Sequence, residues 1–141
     1  MIILLGVIAI LAIIGIMSPT KISGDVSPAV ISENPLSSLS SDPTPERIKE
    51  AIVYVSPNKE MADQIIALAN CESGFRDICI VDTNQKLSCG IFMFQKTTLK
   101  GYCPNLHWGT GYVADSIECA TKMIKDGLLK VHWITCAKQI L

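Results

Sequence analysis

Met61-Ala62-Asp63-Gln64-Ile65-Ile66-Ala67-Leu68-Ala69-Asn70-Cys71-Glu72-Ser73-Gly74 is the stretch on which the fold turns. Met61, Ile65 and Leu68 are spaced four and three apart, so they share one face of a helix. Glu72 falls four residues beyond Leu68, on that same face. A carboxylate on the buried stripe of a helix end is costly unless it stays protonated or finds partners. A carboxyl group kept protonated near neutral pH is what a general acid needs. Gly74 is suited to stop the helix, which leaves Glu72 in the last turn, at the edge of a cleft.

Working outward, the pattern predicts a mainly α domain with one short β-hairpin after the Glu-bearing helix. A first helix is expected from Pro45 to Val55, with Thr44 as its cap and Pro45 at its first position. The Glu-bearing helix is expected from Asn58 to Ser73. Ile78-Cys79-Ile80-Val81 followed by Asp82-Thr83-Asn84-Gln85 predicts a strand and a turn. Residues 90–100 return to apolar residues at helical spacing, which predicts a helix ending at Gly101. Pro104 to Gly111 is a loop. Ile117, Ala120 and Ile124 share a face of a helix expected over 114–126, stopped by Gly127. A single closing helix is expected over 128–141.

The chain has 141 residues and a formal net charge of −1. Residues 1–19 form an apolar leader, from Ile2-Ile3-Leu4-Leu5 to Ile14-Gly15-Ile16-Met17, long enough for a signal-peptide core and marginal for a membrane span. No basic segment precedes it and no Ala-x-Ala site follows, so an uncleaved anchor is favoured over a cleaved signal. Residues 20–43, with Ser37-Ser38-Leu39-Ser40-Ser41, are expected to be a flexible tether, and residues 44–141 the folded domain. Within 44–141, eleven Lys/Arg face ten Asp/Glu; this balance carries no nucleic-acid footprint.

Cys71, Cys79, Cys89, Cys103, Cys119 and Cys136 all fall in the domain. An even count behind an apolar leader points to disulfides in an oxidising compartment outside the cytoplasm. With no Cys-x-x-Cys pair, and only His107 and His132 available, a metal site is not expected. The cysteines can pair in any of fifteen ways; a hairpin staple from Cys79 to Cys89 is the favoured one.

Asn70-Cys71-Glu72-Ser73-Gly74-Phe75-Arg76, followed by Ser88-Cys89-Gly90-Ile91-Phe92-Met93-Phe94-Gln95, resembles the lysozyme-like soluble lytic transglycosylase family, which is similar in fold to goose-type lysozyme. That family carries Glu-Ser-x-Phe and then a Gly-(Leu/Ile)-x-Gln segment, and the resemblance spans residues 58–136. It implies an α+β lysozyme-like fold and Glu72 as a single catalytic acid/base. The bond cut would be the β-1,4 link between N-acetylmuramic acid and N-acetylglucosamine in peptidoglycan, with no cofactor. A transglycosylase closes an anhydro ring with the sugar's own 6-hydroxyl; a lysozyme delivers water instead. The resemblance further implies substrate contacts at Ser73, Phe92, Met93 and Gln95, with Phe75 packing under the site. Met93 stands where the family has its glutamine, with Gln95 two residues on. The family's Ala-Tyr-Asn motif is missing; Tyr102 and Tyr112 occur elsewhere in the order.

Asp82 is the candidate second carboxylate, weighed against a turn-forming Asp before Thr83-Asn84. His132 and Trp133 are weighed as a stacking wall that closes a sugar groove against plain packing, and are read as packing and kept out of the catalytic set. Two functions therefore stand side by side. One is a membrane-tethered peptidoglycan glycosidase whose partners are glycan strands and, through the leader, a membrane. The other is an inactive lysozyme-like module that binds glycan or a protein.

Overall fold

Thr44 accepts a hydrogen bond from the Arg47 N–H at 3.5 Å, and Pro45 opens helix α1, Pro45–Val55, as the capping pattern predicts. The computed structural model describes residues 34–141. The leader and the tether as far as residue 33 lie outside the described residues. Among the described residues, no helix is long and apolar enough to cross a membrane. The last part of the expected tether is folded: Leu36 and Leu39 pack against the core, and Arg47 Nη2 donates to Ser38 Oγ at 2.7 Å. Two leucines among the serines are enough apolar surface to draw this segment onto the domain.

Helix α2, Lys59–Ser73, is capped by the Asn58 side chain, which accepts from the Met61 N–H at 2.9 Å. Strands β1 (Cys79–Val81), β2 (Leu87–Cys89) and β3 (Phe94–Gln95) form an antiparallel sheet in that order. Helices α3 (Lys96–Tyr102), α4 (Val113–Lys125), α5 (Leu129–His132) and α6 (Ile134–Ile140) complete the described chain. The α1, α2 and α4 helices pack on one another, and their inward stripes supply Ile48, Ile52, Ile65, Leu68, Ile117 and Met123, all fully buried. Burying each such side chain contributes about 2 kcal/mol. Three disulfides, Cys71–Cys136, Cys79–Cys89 and Cys103–Cys119, join all six cysteines, and the hairpin staple is among them.

The expected helices are corrected in two places. The expected helix over 90–100 does not begin until Lys96; before it come a tight turn and β3, so the hairpin gains a third strand. Gly90 (φ 82°) and Met93 (φ 51°) are left-handed, which no right-handed helix accommodates. The backbone of this segment is satisfied by other parts of the chain. Ser73 Oγ donates to the Ile91 carbonyl, Trp133 Nε1 to that of Phe92, and Trp108 Nε1 to that of Phe94, at 2.9, 3.0 and 2.6 Å. The turn still buries Ile91 and Phe92 completely, which explains their helix-like spacing. Secondly, the closing helix is split into α5 and α6 at Trp133 (φ −124°, ψ 53°), whose indole is held by Phe92.

Gly90 is the tightest position of the turn. A Cβ there would lie 2.9 Å from Ser116 Oγ, on a backbone that disfavours side chains. Gly90→Ala should therefore lose about 2 kcal/mol in chemical denaturation. A loss below about 0.5 kcal/mol would show that the turn relaxes freely.

Candidate active site

Glu72 lies in the last turn of α2, and both of its neighbours are tied down. Cys71 is bonded to Cys136 of α6, and Ser73, buried, donates to the carbonyl of Ile91. The helix then stops on Gly74 (φ 62°), whose N–H reaches the Asn70 carbonyl at 3.0 Å. Phe75 follows, also left-handed, and its N–H reaches the Ala69 carbonyl at 3.3 Å. The Phe75 ring packs at the margin of the core, with Lys49 Nζ 5.0 Å from its centre.

The Glu72 side chain is half-buried in the wall of a cavity of about 320 Å³. Asp82, Ser88, Met93, Phe94, Gln95 and Thr98 line its hairpin and α3 side, and Val131 and His132 of α5, with Trp133 just after it, close it. The Glu72 carboxyl is pushed up from its ordinary 4.5 to about 7, first by burial and then by the negative charge of Asp82. Both its acid and its carboxylate form are therefore accessible near neutral pH, the poise required of a group that donates a proton and takes one back.

Asp82 follows β1 directly. Its own N–H binds the Lys86 carbonyl at 2.9 Å, closing the hairpin turn. Pairing of Ile80 with Ser88, and of Ser88 with Gln95, brings three strands' side chains to one face. As a result, Asp82 Oδ2 accepts hydrogen bonds from Ser88 Oγ and, at 3.1 Å, from Gln95 Nε2. The opposite wall is aromatic. Trp133 meets Phe94 edge-on with ring centres 5.4 Å apart, and His132 Nε2 lies 3.0 Å from the Tyr102 hydroxyl. Among the described residues no group of three His, Cys, Asp or Glu converges on a point where a metal could sit.

Of the residues singled out from sequence, Glu72, Asp82, Met93 and Gln95 meet at this cavity. Ser73 and Phe92 do not. Ser73 is turned to the Ile91 carbonyl, and Phe92 is fully buried in the core. The expected substrate contacts at these two positions are corrected accordingly. Both are spent on holding the turn against α2, because Ile91 and Phe92 must be buried for the turn to form. Ser73→Ala should cost about 1–3 kcal/mol, since it leaves a carbonyl without its donor, and should leave the KM for any ligand of the cavity unchanged. A raised KM with unchanged stability would restore Ser73 to the binding surface.

His132 and Trp133, read from sequence as packing, form a wall of the cavity, and Trp133 also packs in the core. Ser88, Thr98 and Val131 are lining residues that sequence reasoning missed. The signal for Ser88 was period-two alternation across β2 and β3, legible only once β3 is recognised as a strand. Comparison of the chain with protein-family models, with curated proteins and with solved structures finds no match in any of the three.

Proposed function

We propose that this protein is a glycosidase that cuts the β-1,4 bond between N-acetylmuramic acid and N-acetylglucosamine in peptidoglycan, with Glu72 as the acid. One observation carries the reading: a carboxyl with its pKa near 7, fixed on the wall of an open cavity beside a second carboxylate. Cleaving a glycosidic bond needs a proton delivered to a leaving oxygen that is a poor base, next to a centre that develops oxocarbenium character. A half-buried Glu beside an anionic neighbour meets both needs. It holds its proton at neutral pH, and the neighbouring charge stabilises the cationic centre. The motif around Glu72 supplies the substrate class, and the lysozyme-like character of the domain belongs to the same proposal.

Three disulfides suit an oxidising compartment outside the cytoplasm, which is where cell wall is found. The apolar leader would hold the domain there, facing the wall.

The test is digestion of purified peptidoglycan by the full-length, oxidised protein, with released muropeptides read by mass spectrometry. Soluble muropeptides support the reading. Binding to the wall without any release supports the glycan-binding module instead. Because the protonated form of Glu72 is the active one, kcat/KM should fall as pH rises through about 7, approaching tenfold per pH step beyond it. A profile flat from pH 6 to pH 9 would remove Glu72 from the role of acid.

A further inference from the structure

We propose that the groove between α5 and α6 binds the acidic peptide that branches from N-acetylmuramic acid in peptidoglycan, with Lys130 and Lys138 as its carboxylate anchors. Resting on the glycosidase reading above, this narrows the preferred substrate to glycan that still carries its peptides.

A second cavity, of about 390 Å³, opens beside the one that holds Glu72. The two share one short stretch of chain as their partition: Lys130 and Ile134 line the second cavity, and Val131, His132 and Trp133 between them line the first. Ile134, Ala137 and Leu141, three and four residues apart, give the second cavity an apolar floor. Lys130 and Lys138 complete its lining, and no acidic side chain enters it. Among the described residues neither ammonium takes part in an ion pair, whereas Lys59 and Lys122 each have an aspartate partner. On the partition itself, Val131 and Ile134 are 59% and 58% exposed. Two aliphatic side chains are thus left in water where a ligand lying across both cavities would cover them.

Charge sorts such a ligand. The first cavity carries two carboxyls, Glu72 and Asp82, and the second carries two lysines and no acid. A substrate with a neutral sugar backbone and an anionic branch is divided accordingly, the branch repelled from the one and attracted to the other. Peptidoglycan has this form. The lactyl group of each N-acetylmuramic acid carries a short peptide that begins with alanine and includes residues with free carboxylates. That branch leaves the sugar ring a few bonds from the link to be cut, so a site for it must adjoin the cavity of Glu72. Its methyl groups suit Ile134 and Ala137, and its carboxylates suit the two ammoniums.

The test uses the full-length, oxidised protein and two soluble substrates: uncross-linked glycan strands with their peptides, and the same strands stripped of peptide by an amidase. The wild type should cleave the peptide-bearing strands with kcat/KM about tenfold higher, the size that two exposed ion pairs allow. That preference should shrink as salt is raised. In the double variant Lys130→Ala/Lys138→Ala the two substrates should come within about twofold of each other. Both lysines are exposed, so the melting temperature of the double variant should match that of the wild type. A second measurement needs no turnover. Titration with the lactyl-peptide alone, followed by NMR, should shift the methyl signals of Ile134 and Ala137 in the wild type and leave them in place in the double variant.

Equal cleavage of the two strands by the wild type, or a preference that survives loss of both lysines, would overturn the peptide site and leave the glycosidase reading standing. Shifts at Ile134 and Ala137 in a protein that cleaves neither strand would do the reverse, keeping the site and ending the glycosidase reading. No shift at either methyl overturns the peptide site whatever the turnover.

Discussion

Glu72→Gln is expected to abolish peptidoglycan cleavage, to below about a thousandth of the wild-type rate, while making the folded protein more stable at pH 8. The two effects share one cause. The amide has the size of the protonated acid but no proton to give, so the loss falls on kcat, the signature of an interaction made in the transition state. The stability gain follows from linkage. The pKa of Glu72 is about 7 in the folded protein against an ordinary 4.5, so the folded state binds its proton more tightly than the unfolded chain does. The stability this contributes is fully present below pH 4.5 and is lost as pH rises through 7. Above that, the wild type carries a charge it would rather not bury. Water in the cavity screens the penalty, so the gain on substitution is about 1 kcal/mol.

At pH 4 the gain should vanish, because both side chains are then neutral. Thermal melts of both proteins at pH 4 and pH 8, beside the digestion assay, check the pair of effects. A variant that is inactive but equally destabilised at both pH values would mean that Glu72 is structural, and that its raised pKa has no part in function.

Removing the Cys71–Cys136 bridge, as the double Cys→Ser variant, should cost about 4 kcal/mol in the chain-entropy account, because the cysteines are 65 residues apart. For a domain whose whole stability is about 5–15 kcal/mol, that is a large share, equivalent to a drop of roughly 20 °C in Tm. The bridge also matters more locally than its entropy suggests. It joins the residue before Glu72 to α6, whose first turn follows His132 and Trp133 on the far wall of the cavity. Without it, α2 and α6 are held together by packing alone.

Activity measured well below the new Tm should therefore fall as well, by more than for the variant lacking Cys79–Cys89. That second bridge closes only a 10-residue span within a hairpin already paired by its strands. A Tm change under about 5 °C, with full activity, would show that packing alone sets the walls.

Much of this was legible in the chain because the deciding interactions are local. Thr44-Pro45 and Gly74 mark helix ends by groups that bond within four residues, and the structure uses both as read; Asn58, read as the first residue of its helix, is the cap just before it. The stripe that places Glu72 beyond Leu68 is equally local. It brought the carboxyl to the cavity correctly, where it meets Asp82, Met93 and Gln95. The reading of residues 90–100 as helix failed for an equally physical reason. Apolar spacing reports which side chains are buried, not how the backbone that carries them is hydrogen-bonded. Here the carbonyls of Ile91, Phe92 and Phe94 are taken by side chains 18, 41 and 14 residues away. Ser73 was misplaced for the same reason, its partner lying across the turn.

By itself, then, the sequence determined where α1 and α2 begin and end, that a carboxyl sits at the end of an apolar stripe, and that six cysteines crowd a domain of modest size. Each of these rests on propensity, capping or composition, which act over a few residues. Only the tertiary structure decided how the four cysteines outside the hairpin pair, that the Gly-Ile-Phe segment turns, and that Ser88 and Gln95 close on one oxygen of Asp82. It also turned His132 and Trp133 into a wall of the cavity. Those outcomes depend on contacts between residues six to 65 positions apart. Such contacts form only when buried carbonyls, carboxylates and apolar faces find their partners together.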